Sequence, residues 1–132
     1  MQIISIINQK GGVGKTTTVI NLAAGLSQQN KKILVIDLDP QGNATTGLGL
    51  SNMENSNNTI YGVLNGTKEI SEVIKKTKFE NLDLITSNVD LSGLEVETAD
   101  DSNRAFILKV KLEPYLNDSR GSYDYILIDC PP

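Results

Sequence analysis

The stretch Lys10-Gly11-Gly12-Val13-Gly14-Lys15-Thr16-Thr17 separates two segments of different periodicity. Before it, QIISII (2–7) is a β-branched apolar run of the kind that forms a buried strand. After it, KTTTVINLAAGLSQQ (15–29) places apolar residues at 19, 20, 22, 23 and 26, a helical spacing that stops at Asn30-Lys31-Lys32. The stretch is therefore a glycine turn leading from a strand into a helix. Binding a phosphate takes closely spaced backbone N–H groups, a helix N-terminus and a lysine, and glycine permits both the unusual dihedrals and the close approach. All three needs are met here. The competing reading is a glycine turn that binds nothing. The flanking strand and helix, with two further acidic strand ends downstream, weigh against it.

The first of those strand ends closes ILVIDL (33–38), an apolar run ending in Asp37 and Asp39, with Pro40 and Gly42 breaking the chain after it. Strand, helix and strand predict a parallel β-α-β unit with a right-handed crossover. The second closes YDYILID (123–129), which ends in Asp129 and is followed by Cys130-Pro131-Pro132. A carboxylate at the C-terminal end of a parallel strand faces the crevice where such sheets bind ligands. Asp39 could instead be a solvated turn acid. Asp37 could be a structural hydrogen-bond acceptor or could act on a magnesium ion through water.

Between these segments, residues 43–58 are rich in Asn, Ser, Gly and Thr and read as a loop with room for one short helix. Residues 59–64 and 69–76 read as short helical or mixed segments, 82–86 as a third strand, 90–98 as a short helix, and 104–117 as a helix with Pro114 near its end. No internal repeat, low-complexity tract or linker divides the chain.

The 132 residues include one cysteine, no histidine and no tryptophan. That length suits one domain at most, and 39% hydrophobic with 21% charged residues is a globular composition. With no histidine and only Cys130, a zinc site, an internal disulfide and histidine-based acid–base chemistry are all excluded. Cys130 reads as a small buried filler rather than a nucleophile, and Tyr115, Tyr123 and Tyr125 as packing. No apolar run is long enough to span a membrane and the start has no secretory pattern, so the expected location is the cytoplasm. Residues 1–50 carry +2 and residues 51–132 carry −6, leaving no broad basic face for nucleic acid.

Taken literally, the phosphate-loop pattern G-x-x-x-x-G-K-[ST] requires glycine at position 9, where this chain has Gln9. What stands instead is K-G-G-x-G-K-T-T, with a second lysine, Lys10, at its start. This string resembles the deviant Walker A motif of the ParA/MinD family of ATPases. DLDPQGN (37–43) is similar to that family's switch I, YILID (125–129) to its Walker B strand, and DCPP (129–132) to the opening of its switch II. With NATTGLGL (43–50) following switch I, the nearest likeness is to the ParA/Soj proteins that partition chromosomes or plasmids.

The resemblance implies an α/β P-loop NTPase fold, a mostly parallel sheet flanked by helices. It implies ATP and Mg2+ as ligands, with the phosphates held by Gly11, Gly12, Val13, Gly14, Lys15, Thr16 and Thr17. The metal would be held by Thr16 and, through water, by Asp129. Catalysis would fall to Lys10, Lys15 and Asp39: Lys15 acts within its own subunit, Lys10 reaches across an ATP-bound homodimer, and Asp39 orients the attacking water. The resemblance also implies stimulation by a ParB-type protein, nonspecific DNA binding that places the whole protein on the nucleoid, and no membrane partner.

Family domains run to about twice this length, within the size of one α/β domain. Residues 1–132 are expected to be the N-terminal part of one such domain, ending as switch II begins and lacking the adenine-binding segment and the DNA surface. Three alternatives compete: an ATP-dependent metabolic synthase with a related loop, a MinD-like positioning ATPase, and a non-catalytic fragment. A polypeptide of these residues alone is expected to be marginally stable, with little ATPase activity.

Overall fold

The structure is a computed structural model and describes residues 2–6, 14–51, 55–91, 107–114 and 123–129. Five strands form one sheet: β1 (Gln2–Ile6), β2 (Ile33–Asp37), β3 (Ile74–Lys76), β4 (Leu82–Ile85) and β5 (Tyr125–Asp129). Their spatial order is β1-β5-β2-β4-β3. The first four run parallel and β3 pairs antiparallel with β4 at the edge. This is the expected mostly parallel sheet, with one refinement. β1 and β2 are parallel but not adjacent, because β5 lies between them and pairs with both.

The strand sequences account for that centre. In β2 all five residues are buried, and in β5 all but Tyr125 are buried, as strands covered on both faces require. Alternate residues serve opposite layers. Ile33, Val35, Leu82, Leu84 and Leu127 pack under α1 (Gly14–Gln28), whose Val19 and Ala23 are fully buried against them. Leu34, Ile36, Ile85, Ile126 and Ile128 face the other way. There they meet α3 (Ile60–Leu64), α4 (Ile70–Val73) and a helix over 107–114, here α5, which contributes Leu108 and Leu112. Fully burying each such side chain contributes roughly 1.5–3 kcal/mol, so the paired layers hold the strand ends in fixed register.

Two open readings resolve. The loop over 43–58 holds the one short helix for which it had room, α2 (Asn43–Gly47), and a 3-10 turn at Ser56–Asn58. The segment 69–76, read as helical or mixed, is mixed, with helix over Ile70–Val73 and strand over Ile74–Lys76. Ile74 is extended (φ −70°, ψ 131°), and Ile74, Lys75 and Lys76 pair with Ile85, Leu84 and Asp83. A β-branched residue at the end of one helical turn beside an open sheet edge favours that switch to strand. Pro114 is the last described residue of α5, and the rest of the helix expected over 104–117 lies outside the described residues. The helix expected over 90–98 lies almost wholly outside the described residues.

At the amino edge of the sheet, Tyr123 is 7% exposed and its hydroxyl donates to Asp83 Oδ2 at 2.7 Å. Lys76 lies 3.5 Å from Asp83 Oδ1, and the Lys32 ammonium sits 5.9 Å from the centre of the Tyr123 ring. Tyr123 is thus the packing residue expected, with its polar end partnered. No helix among the described residues is long and apolar enough to cross a membrane.

Candidate active site

Parallel register brings the acidic strand ends together. Asp37 ends β2 and Asp129 ends β5, and the two are direct partners across the ladder. Both are fully buried. The Leu38 N–H donates to the Asp129 carbonyl at 2.9 Å, extending the ladder one step past the strand.

α1 begins at the same edge. Gly14 and Lys15 begin α1, as expected of a strand-to-helix turn, and Thr16 stands in its first turn. The Thr16 hydroxyl donates to Asp129 Oδ2 at 3.2 Å, so the start of α1 and the end of β5 meet. Thr17 is exposed on the same turn. Lys10, Gly11, Gly12 and Val13 lie outside the described residues, as do the side chain of Lys15 and the segment Cys130-Pro131-Pro132.

Asp37 is enclosed by donors. Its Oδ1 accepts from the Asp39 N–H at 3.0 Å, and its Oδ2 accepts from the Thr45 N–H at 2.9 Å and the Thr45 hydroxyl at 2.7 Å. Burial pushes the Asp37 carboxyl up to about 6, against the pull of those hydrogen bonds, and the nearby Asp129 adds to the rise. Of the two roles open to Asp37 from sequence, this geometry displays the structural acceptor.

Asp39 is 7% exposed, so it is not the solvated turn acid that the sequence also allowed. Its carboxylate accepts from the Gln41 N–H at 3.0 Å, and its carbonyl accepts from the Gly42 N–H at 2.8 Å. Gly42 adopts a left-handed conformation (φ 66°), which lets the chain turn from this loop into α2 at no steric cost.

Two site residues were not singled out from sequence: Thr45, and Ser87 just past the end of β4. Ser87 donates its N–H to Thr45 Oγ1 at 3.1 Å and its hydroxyl to the Asp39 carbonyl at 2.6 Å. The signal available was the polar run Thr86-Ser87-Asn88 directly after an apolar strand, which is where a parallel sheet builds its crevice.

The donor set limits the chemistry. Among the described residues, no group of three or more His, Cys, Asp and Glu side chains could cage a metal. Thr16 and Asp129 instead place one hydroxyl beside one carboxylate. Such hard oxygens suit magnesium, which keeps several waters and shares the rest of its coordination with phosphate oxygens.

Compared with known proteins, residues 1–132 match the AAA domain family over their whole length. The chain belongs to that family. The chromosome partitioning protein ParA of Myxococcus xanthus is 47% identical over 99% of this chain and 44% of its own length. The sporulation initiation inhibitor protein Soj of Bacillus subtilis is 44% identical over 99% of this chain and 50% of its own length. The chain thus spans about half the length of these relatives. Among solved structures, the cobyrinic acid a,c-diamide synthase of Mycobacterium smegmatis with bound ADP and magnesium superposes with a TM-score of 0.86 at 36% identity, over all of this chain and 51% of the synthase. The AAA-domain assignment and these neighbours agree with the P-loop NTPase fold that the family resemblance implies.

Proposed function

We propose that this protein is an ATP-hydrolysing switch for chromosome or plasmid partitioning, and that the described edge of the sheet is the part of its active site that separates binding from hydrolysis. The observation that carries this reading is the meeting of three chain segments at one edge: Thr16 hydrogen-bonded to Asp129, and the buried Asp37–Asp39 pair beside them. The similarity to ParA and Soj supports the partitioning role.

In this reading the backbone N–H groups of residues 11–17 cradle the phosphates, with the positive end of the α1 dipole behind them. Lys15 places a point charge at the β- and γ-phosphates. Thr16 and Asp129 would hold magnesium, which would supply positive charge against the phosphoryl oxygens. Asp39, shielded from bulk water and held at both its N–H and its carbonyl, orients the attacking water. Lys10 reaches the phosphates of a second copy, so that ATP assembles a dimer. Hydrolysis, stimulated by a ParB-type partner, releases it. Nonspecific DNA binding, and with it association with the nucleoid, would belong to the part of the relatives that this chain does not span.

The test is Asp39→Ala in the whole protein. ATP binding and the ATP-dependent dimer are expected to persist while turnover falls by at least about tenfold, since water positioning acts only on the chemical step. Wild-type turnover in this variant would remove Asp39 from the catalytic set. The synthase likeness supports a second reading, an ATP-dependent amide-forming enzyme. Under that reading, turnover would require a carboxylic acid acceptor and an amide nitrogen donor rather than a partner protein.

A further inference from the structure

The loop that carries Asp39 is held from a strand that the proposed chemistry does not otherwise use. β4 ends at Ile85, and the two residues after it, Thr86 and Ser87, are fully buried. Thr86 is fastened on its own account. Its carbonyl accepts from the Ile60 N–H at 2.9 Å and its hydroxyl accepts from the Lys75 ammonium at 3.0 Å, while that ammonium also donates to the Asn58 carbonyl. This anchored backbone leads directly into Ser87, whose hydroxyl reaches the Asp39 carbonyl at 2.6 Å and whose N–H reaches Thr45 Oγ1 at 3.1 Å. Thr45 relays the second bond to Asp37, and Asp37 in turn accepts the N–H of Asp39 at 3.0 Å.

Both backbone polar groups of Asp39 are therefore tied to side chains rooted in neighbouring strands, β2 on one side and the end of β4 on the other. We propose that Ser87 is a positioning residue for Asp39: by holding its carbonyl from β4, the Ser87 hydroxyl sets where the Asp39 carboxylate presents itself to the attacking water. This rests on the water-orienting role given to Asp39 above. The physical warrant is geometric, since a misplacement of about 1 Å in a reacting group costs on the order of a hundredfold in rate. A purely structural role fits less well. The Asp39 carbonyl also accepts from the Gly42 N–H at 2.8 Å, so it stays partnered when the serine hydroxyl is removed.

The experiment is a double-mutant cycle on ATP hydrolysis in the whole protein, with wild type, Ser87→Ala, Asp39→Ala and the double variant compared in multiple- and single-turnover assays. Ser87→Ala is expected to lower kcat about tenfold with KM for ATP held within about twofold. In the Asp39→Ala background, the same change is expected to alter the residual rate by less than about twofold, because a residue acting only through Asp39 has nothing left to position. An undiminished tenfold loss in that background would overturn the proposal, and so would a loss confined to KM. If Asp39→Ala is slow and Ser87→Ala is fast, Ser87 alone is wrongly assigned. If Asp39→Ala turns over at the wild-type rate, both assignments fall. Should Ser87→Ala not fold, as judged by circular dichroism, Ser87→Cys keeps the volume, weakens the donor and replaces it in the same cycle.

Discussion

The hydroxyl of Thr16 in the first turn of α1 donates to Asp129 Oδ2 at the end of β5 across 3.2 Å, joining residues 113 apart in sequence. Two hard oxygens held this close suit a cation that needs few protein ligands. Thr16→Val keeps the shape and removes one of them. Magnesium-dependent enhancement of nucleotide affinity is expected to fall about tenfold, with magnesium-free ADP binding unchanged. Fluorescent-nucleotide titrations with and without magnesium measure this, and equal magnesium enhancement in variant and wild type would contradict it.

Asp37 ties stability to pH. Its folded-state pKa, about 6, lies above the ordinary 3.8 because burial outweighs its hydrogen bonds. Between those values the native state holds the proton that the unfolded chain has released, so this residue's contribution favours folding at low pH and is lost as pH rises through the window. The full loss amounts to about 3 kcal/mol, at roughly 1.4 kcal/mol for each pH interval of one between the two values. Urea unfolding of magnesium-free protein from pH 4 to 7 measures it. Relative to Asp37→Asn, wild-type stability is expected to fall across pH 4–6 and then level off; parallel curves would contradict the burial argument.

The amino edge of the sheet gives a prediction independent of any ligand. Tyr123→Phe leaves the packing intact and takes the 2.7 Å hydrogen bond from Asp83, which is only 7% exposed. The loss should cost about 1–3 kcal/mol, because a buried charged acceptor is left with one partner fewer. A lowered urea midpoint with unchanged slope is the expected result. An unchanged midpoint would mean that Lys76 alone satisfies Asp83.

Much of this arrangement was legible in the sequence because it rests on short-range signals. Apolar runs ending in Asp37 and Asp129 announced two buried parallel strands, and the glycine turn before Thr16 announced the helix between strands. Sequence did not reveal that β5 inserts between β1 and β2, since strand order depends on pairings between residues 92 and 123 positions apart. Residues 69–76 read only as helical or mixed, because four residues of helix followed by three of strand give barely one repeat of either pattern. Thr45 and Ser87 escaped notice for a related reason. Each looks like an ordinary loop residue, and its role is defined only by the partner that folding brings to it.

Lys10 separates this chain's proposed mechanism from that of phosphate-loop proteins with glycine at the start of the motif. Lys10→Ala is expected to leave nucleotide binding by the monomer within about twofold of wild type while abolishing the ATP-dependent dimer and its turnover, because the proposed contact crosses between copies. Sedimentation velocity with and without a non-hydrolysable ATP analogue reads this directly. A dimer of wild-type stability in the variant would remove Lys10 from the catalytic set.

That this sheet edge binds nucleotide phosphates is tested most directly by calorimetric titration of Mg-ATP into the whole protein and its Lys15→Ala variant. Wild type is expected to bind with one site per chain. The variant, lacking a point charge beside the β- and γ-phosphates, is expected to lose at least about a hundredfold in affinity. Equal affinity in the two proteins would contradict the assignment of the turn at residues 10–17 as a phosphate-binding loop.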